Sequence, residues 1–209
     1  MSLQVIDIPP STSQPPAALI VCLHGWGANA EDVASLFPFF QLPNCQFIFP
    51  NAPFPHISSP IGRQWYDLRP ENMYEGLVES RQKLKDWLQS LESSTGVPLS
   101  RTILSGFSQG GAMTLDLGLK LPLAGLVCMS GYLHPGALEQ EDSTSLAPTL
   151  IMHGKQDEVV PLAAAIKAKA ELESLGVGVD YHEFDMGHEI RPQMLNLFQN
   201  FVIYTTQEE

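Results

Sequence analysis

The sequence predicts an α/β fold, a mostly parallel central sheet with helices on both faces. Three observations lead there. Short runs such as Ala17 to Leu23 and Ala124 to Met129 are apolar at every position, as in parallel strands covered on both sides. Longer segments with apolar residues every three or four positions alternate with these runs. Alternation of that kind implies crossover connections and parallel pairing. No repeat or second domain interrupts the order, so residues 1–209 read as one domain.

Leu3 to Ile8 reads as an edge strand, closed by Pro9 and Pro10, and residues 11–16 as a Ser/Pro-rich turn. The run Ala17 to Leu23 ends in His24-Gly25-Trp26-Gly27. Glu31 to Phe40 is expected as a short helix, and Phe47 to Phe49 as the core of the next strand. Residues 50–70 break the rhythm with Pro50, Pro53, Pro55, Pro60, Gly62 and Pro70. Connections of this length without regular structure are usually functional or disordered, and Phe54, Trp65 and Tyr66 argue against disorder. A lid-like insertion over about 50–76 is therefore expected, with Trp65 and Tyr66 in a wall of an acyl pocket. The alternative is that Trp65 only pins the loop.

Glu71 to Thr95 is expected as a long helix, with Leu77, Leu84, Leu88 and Leu91 in one stripe and Gly96 and Pro98 ending it. Ala124 to Met129 and Thr149 to Met152 are further buried strands, with a loop holding one helical turn between them over 134–148. Pro161 opens a helix continued by Leu162, Ile166 and Ala170. Val177, Val179 and Tyr181 alternate as a last strand. Leu195, Phe198, Phe201 and Val202 mark a closing helix.

The net charge of −12, from 11 basic and 23 acidic residues, argues against nucleic acid and anionic membrane surfaces as partners. No apolar run approaches membrane-spanning length, so no stable membrane insertion is expected. Met1-Ser2-Leu3-Gln4-Val5 carries no signal-peptide pattern, which makes a cytoplasmic protein the default. Cys22, Cys45 and Cys128 fall in or beside apolar runs and read as buried free thiols.

The stretch Ile103 to Met113 concentrates the chemistry. A strand-like run leads into Gly106-Phe107-Ser108-Gln109-Gly110, and a helical pattern of Ala112, Leu115 and Leu119 follows. In that context G-x-S-x-G is a nucleophile elbow, a strained turn presenting its serine at a helix N-terminus. The other reading is a glycine-rich turn with a capping serine. Ligands of open α/β sheets bind beyond the carboxyl ends of the strands. Ser108, Asp157 and His188 all fall there, in the chain order Ser…Asp…His of an α/β-hydrolase. A serine hydroxyl needs a histidine base, and the base an orienting carboxylate. Asp185 is a rival for the acid. His24 and His153 each precede a glycine at a strand end and are expected to bond loop backbone. His134, His56 and His182 show no orienting pattern. No metal-ligand spacing appears, so no metal is expected. An acyl-transfer site also needs oxyanion donors. The backbone N–H of Gln109 supplies one. The His24-Gly25-Trp26-Gly27 loop is placed to supply another.

Leu23-His24-Gly25-Trp26-Gly27, Gly106-Phe107-Ser108-Gln109-Gly110-Gly111, His153-Gly154 with Asp157 and Val160-Pro161, and Gly187-His188 together resemble the phospholipase/carboxylesterase family. That family includes acyl-protein thioesterases and small bacterial carboxylesterases. The resemblance runs from about residue 17 to the end. It implies an α/β-hydrolase fold, Ser108, Asp157 and His188 as the triad, and the amides of Trp26 and Gln109 as the oxyanion hole. It further implies a cofactor-free protein that is a monomer or weak homodimer. Family members often carry leucine where this chain has Trp26; the donor is a backbone N–H, so the role is expected to survive.

The expected function is hydrolysis of carboxylic esters, thioesters or lysophospholipids with an apolar acyl chain, through a covalent acyl-enzyme. Trp26, Trp65, Tyr66, Phe107, Tyr132, Leu133 and Met186 flank the inferred site as substrate-binding candidates. An acyltransferase with the same triad is the alternative, separable by product analysis with added alcohols. A non-catalytic binding protein on this fold is a third reading, which labelling of Ser108 by an organophosphonate would exclude.

Overall fold

The structure is a computed structural model that describes residues 3–135, 137 and 146–206. Its centre is a seven-stranded sheet. In chain order its strands are β1 (Val5–Ile8), β2 (Ala18–Leu23), β3 (Cys45–Pro50), β6 (Thr102–Phe107), β7 (Gly125–Met129), β8 (Thr149–Gly154) and β9 (Val179–Phe184). In space they run β1-β3-β2-β6-β7-β8-β9. All neighbours are parallel except the edge strand β1, which pairs antiparallel with β3. A two-stranded hairpin, β4 (Phe54–Pro55) with β5 (Arg63–Gln64), lies outside this sheet.

Among the described residues, five helices cover both faces: α1 (Ala30–Ala34), α2 (Leu77–Thr95), α3 (Gln109–Gly118), α4 (Leu162–Ser174) and α5 (Pro192–Thr206). The two-residue strand period sorts the core. On β2, Leu19, Val21 and Leu23 join residues of α2, α3 and α4, while Ala18, Ile20 and Cys22 join residues of α1 and α5. The expected stripe of α2 is realised: Leu77, Leu84, Leu88 and Leu91 are all buried. Each such leucine contributes about 1.5–3 kcal/mol of burial free energy. The cysteines are free and buried, and burial pushes the thiols of Cys22 and Cys128 up to about 12. Among the described residues no helix is long and apolar enough to cross a membrane.

Three expectations need correction. The first helix spans only Ala30–Ala34, capped by Asn29 with Asp32 in a reciprocal capping box. Pro38, which has no N–H to donate, sits in a separate 3₁₀ turn over Phe37–Phe39. The long helix starts at Leu77 rather than Glu71, because Tyr74 (φ 69°) and Gly76 (φ 86°) take left-handed backbone just before it. The irregular segment after β3 is also anchored: Trp65 and Tyr66 are fully buried in the core cluster that contains α2. An expected helical turn within 134–148 falls mainly on residues outside those described.

Candidate active site

Four strand-end loops of the parallel sheet build the site. After β6 the chain turns at Ser108 (φ 55°, ψ −118°) and enters α3 at Gln109. A non-glycine residue in that conformation is strained, and strain of this kind collects at functional positions. The turn closes on itself so tightly that a Cβ on Gly106 would lie 2.3 Å from the Gly110 carbonyl. One on Gly110 would lie 2.4 Å from the Leu23 carbonyl oxygen. Only glycine fits either position. The Ser108 side chain makes no capping bond to α3, which removes the capping-serine reading.

The loop after β9 carries His188 and the loop after β8 carries Asp157. His188 Nδ1 donates to Asp157 Oδ2 at 2.7 Å. Asp157 Oδ1 accepts the backbone N–H groups of Val159 and Val160 at 2.9 and 2.8 Å. Burial opposes ionisation of this carboxyl, yet the bonds from His188 and the Val160 amide hold it below the ordinary carboxylate range. The bond fixes the imidazole with its proton on Nδ1 and leaves Nε2 basic. The His188 ring packs 4.7 Å from that of Phe107, the residue before Ser108.

The loop after β2 lies against the elbow. A methyl group on Gly25 would stand 3.4 Å from Ser108 Cβ. Beyond it, Gly27 N–H donates to the Arg63 carbonyl and Ala28 N–H to that of Gly25. The Trp26 and Gln109 amides have no acceptor among the described residues. For Gln109 that follows from its place as the first residue of a helix.

The remaining histidines have other partners. His24 Nε2 accepts Ala52 N–H at 3.0 Å and its Nδ1 donates to the Gly25 carbonyl at 2.8 Å. Burial lowers its pKa to about 4, so it stays neutral. His153 Nε2 donates to the Val160 carbonyl. Both therefore bond loop backbone, as expected. His56 stacks edge-on against the Trp26 ring, and His182 lies beside Asp180. Asp185, the rival acid, is largely exposed and pairs with Lys155 at 3.0 Å.

The substrate-binding candidates divide. Trp26 is partly exposed, with its indole N–H on Gln64 Oε1 at 2.8 Å. Phe107 and Leu133 are half-buried. Tyr132 is half-buried, with its hydroxyl on that of Tyr66 at 2.7 Å. Trp65, Tyr66 and Met186 are at most 1% exposed and offer no wall to an acyl chain. The expected wall role of Trp65 and Tyr66 is corrected accordingly. Large aromatics gain more by joining the α2 core than by fronting a cleft.

Two features escaped the sequence reading. The carboxamide of Gln109 holds the backbone of residues 65 and 66, with Oε1 on Trp65 N–H and Nε2 on the Tyr66 carbonyl. A second His–Asp pair joins His134 Nδ1 to Asp116 Oδ2 at 3.0 Å. Its signal was a lone carboxylate on the apolar helix 112–119. Among the described residues no group of three or more potential metal ligands comes together.

Comparison with known proteins shows the family. The phospholipase/carboxylesterase family model matches residues 8–206. Acyl-protein thioesterase 1 of Eremothecium gossypii is 30% identical, over 88% of this chain and 86% of that protein. Acyl-protein thioesterase 1 of Saccharomyces cerevisiae is 29% identical, over 90% and 93%. The crystal structure of esterase PE8 superposes with a TM-score of 0.91 at 30% identity, covering 98% of this chain and all of that one. The Bacillus cereus carboxylesterase shares the fold, with a TM-score of 0.79 at 14% identity. The chain belongs to the phospholipase/carboxylesterase family and is a hydrolase of the esterase class.

Proposed function

We propose that the protein cleaves carboxylic esters or thioesters through a Ser108-His188-Asp157 triad and a covalent acyl-enzyme. The observation that carries this reading is the 2.7 Å bond from His188 Nδ1 to Asp157, beside the strained turn at Ser108. In this scheme His188 Nε2 takes the Ser108 proton as Oγ attacks the acyl carbonyl. The carbonyl oxygen becomes an oxyanion held by the Trp26 and Gln109 amides. Collapse expels the alcohol or thiol, which leaves with the proton from His188. Water then attacks the acyl-enzyme while His188 takes its proton, and collapse returns that proton to Ser108 and frees the carboxylic acid. Asp157, kept ionised by its hydrogen bonds, stabilises the imidazolium in both halves. The relatives named acyl-protein thioesterase 1 support thioesters as one substrate class.

A fluorophosphonate should label the protein once, at Ser108, and abolish turnover of aryl esters and acyl-thioesters together. Ser108→Ala should lose labelling and essentially all turnover while its melting temperature stays unchanged. Retention of more than a few per cent of turnover would reject the nucleophile.

A further inference from the structure

Gln109 is fully buried, and its side chain does not serve its own helix. Its Oε1 accepts Trp65 N–H at 2.9 Å and its Nε2 donates to the Tyr66 carbonyl at 2.8 Å. One carboxamide thereby satisfies a donor and an acceptor of a backbone segment that crosses behind the elbow. Trp65 in turn sends its indole N–H to the carbonyl of His24 at 3.1 Å. Its own carbonyl accepts the Ser80 hydroxyl from α2. Trp65 is thus held at its N–H, its carbonyl and its ring.

The His24 carbonyl lies in the peptide just before the one that carries the Trp26 N–H. Turning the first peptide re-aims the second. That carbonyl is also where a Cβ on Gly110 would collide, at 2.7 Å. The loop after β2 is therefore wedged between the elbow and the Trp65 indole. The segment that clamps it is tied to the side chain of Gln109, whose backbone supplies the other donor. An apolar side chain at this position would leave the Trp65 N–H and the Tyr66 carbonyl buried and unpaired, at about 1–3 kcal/mol each, so the carboxamide holds the segment in place.

We infer that the Gln109 carboxamide and the Trp65 indole N–H are positioning residues. They form a bracket that sets the separation and aim of the Trp26 and Gln109 amides toward the oxyanion. The inference rests on the ester-hydrolase reading above. Oxyanion donors act only where the transition-state charge forms, so a misaimed donor lowers kcat and leaves ground-state binding unchanged.

Trp65→Phe tests this by deleting the donor and keeping an aromatic ring. It should lower kcat on a short-chain aryl ester by about 10–100-fold, with KM within about twofold. Affinity for an alkyl trifluoromethyl ketone, which forms a tetrahedral oxyanion on Ser108, should fall by the same factor as kcat/KM. Affinity for the matching carboxamide should not move. A purely structural tryptophan would lower the melting temperature and scale the two inhibitors together. If Trp65→Phe does not fold, 3-benzothienylalanine at position 65 keeps the ring shape and removes only the N–H, and the same outcomes apply. Unchanged kcat and ketone affinity in either variant would overturn the bracket. Failure of the unsubstituted protein to bind the ketone at Ser108 would instead overturn the hydrolase reading, and the bracket with it.

Discussion

Two of the histidine–aspartate pairs among the described residues, His188 with Asp157 and His134 with Asp116, share nearly identical local chemistry through Nδ1 and Oδ2, and their surroundings separate them. His188 and Asp157 meet on two loops at the carboxyl edge of the sheet, with the imidazole 16% exposed. His134 and Asp116 meet in the interior, both side chains 0% exposed. Asp116 is shared with two cations, Arg81 and Lys120. The far nitrogen of His134 bonds Tyr66 Oη at 2.7 Å, which in turn meets Tyr132 Oη. Burial raises the Tyr66 phenol well above its ordinary value and that of Tyr132 to about 12, so both stay protonated. Nothing in this second set is a ready nucleophile. A histidine–carboxylate pair can serve as a base only where its second nitrogen has no protein partner, as for His188 Nε2 among the described residues. Where that nitrogen is already bonded, the same pair is a polar strut tying α3 and the loop after β7 to the 65–66 segment.

The largest expected effect separates the pairs by activity. Asp157→Asn should lower kcat by about 10⁴, because an amide favours the wrong imidazole tautomer. Its melting temperature should change little. Asp116→Asn should do the reverse, because it removes the buried carboxylate that Arg81 and His134 bond. A cost of about 3 kcal/mol is expected, a fall of roughly 6–12 °C in Tm, with kcat of the folded protein within a few-fold. Steady-state kinetics and thermal melts on both variants decide it; a large kcat loss in Asp116→Asn at unchanged Tm would break the contrast.

Acid stability adds a histidine whose hydrogen bonds go to backbone, His24. Folding lowers the pKa of His24 from 6.5 to about 4, chiefly through burial. The folded state therefore binds fewer protons than the unfolded one in that window. The stabilisation is full above pH 6.5 and is lost as pH falls toward 4, on the order of 3 kcal/mol. The Asp116 carboxyl is held below its ordinary 3.8, so its contribution persists to lower pH. Melting curves from pH 7 to 3 should first decline between 6.5 and 4, and His24→Gln should flatten that limb. An unchanged limb would assign it elsewhere. The smallest effect is Asp185→Asn, which breaks an exposed pair with Lys155. It should cost under about 0.5 kcal/mol and leave kcat within twofold, whereas a loss matching that of Asp157→Asn would move the triad acid to Asp185.

What the sequence determined by itself was local or periodic. Apolar runs of strand length, the leucine stripe of α2 and Gly106, which closes on Gly110, follow from nearby or periodic positions and are realised in the structure, whereas Gly110 is required by the Leu23 carbonyl on β2. The meeting of His188 with Asp157 was legible because a parallel sheet gathers its strand ends on one edge. Helix starts were less legible: Tyr74 and Gly76 adopt left-handed backbone where Phe54 and the Trp65–Tyr66 segment crowd the entry to α2, a long-range cause. Trp65 read as an acyl wall because an aromatic in an irregular segment gives no hint of which surface it covers. Only the tertiary structure decided that α2 covers it, and that Gln109, 44 positions away, bonds its backbone. The same holds for Asp116 and His134: a buried charge is tolerated only with its partners in place, and those partners come from α2, α3, the loop after β7 and the segment that follows the β4–β5 hairpin.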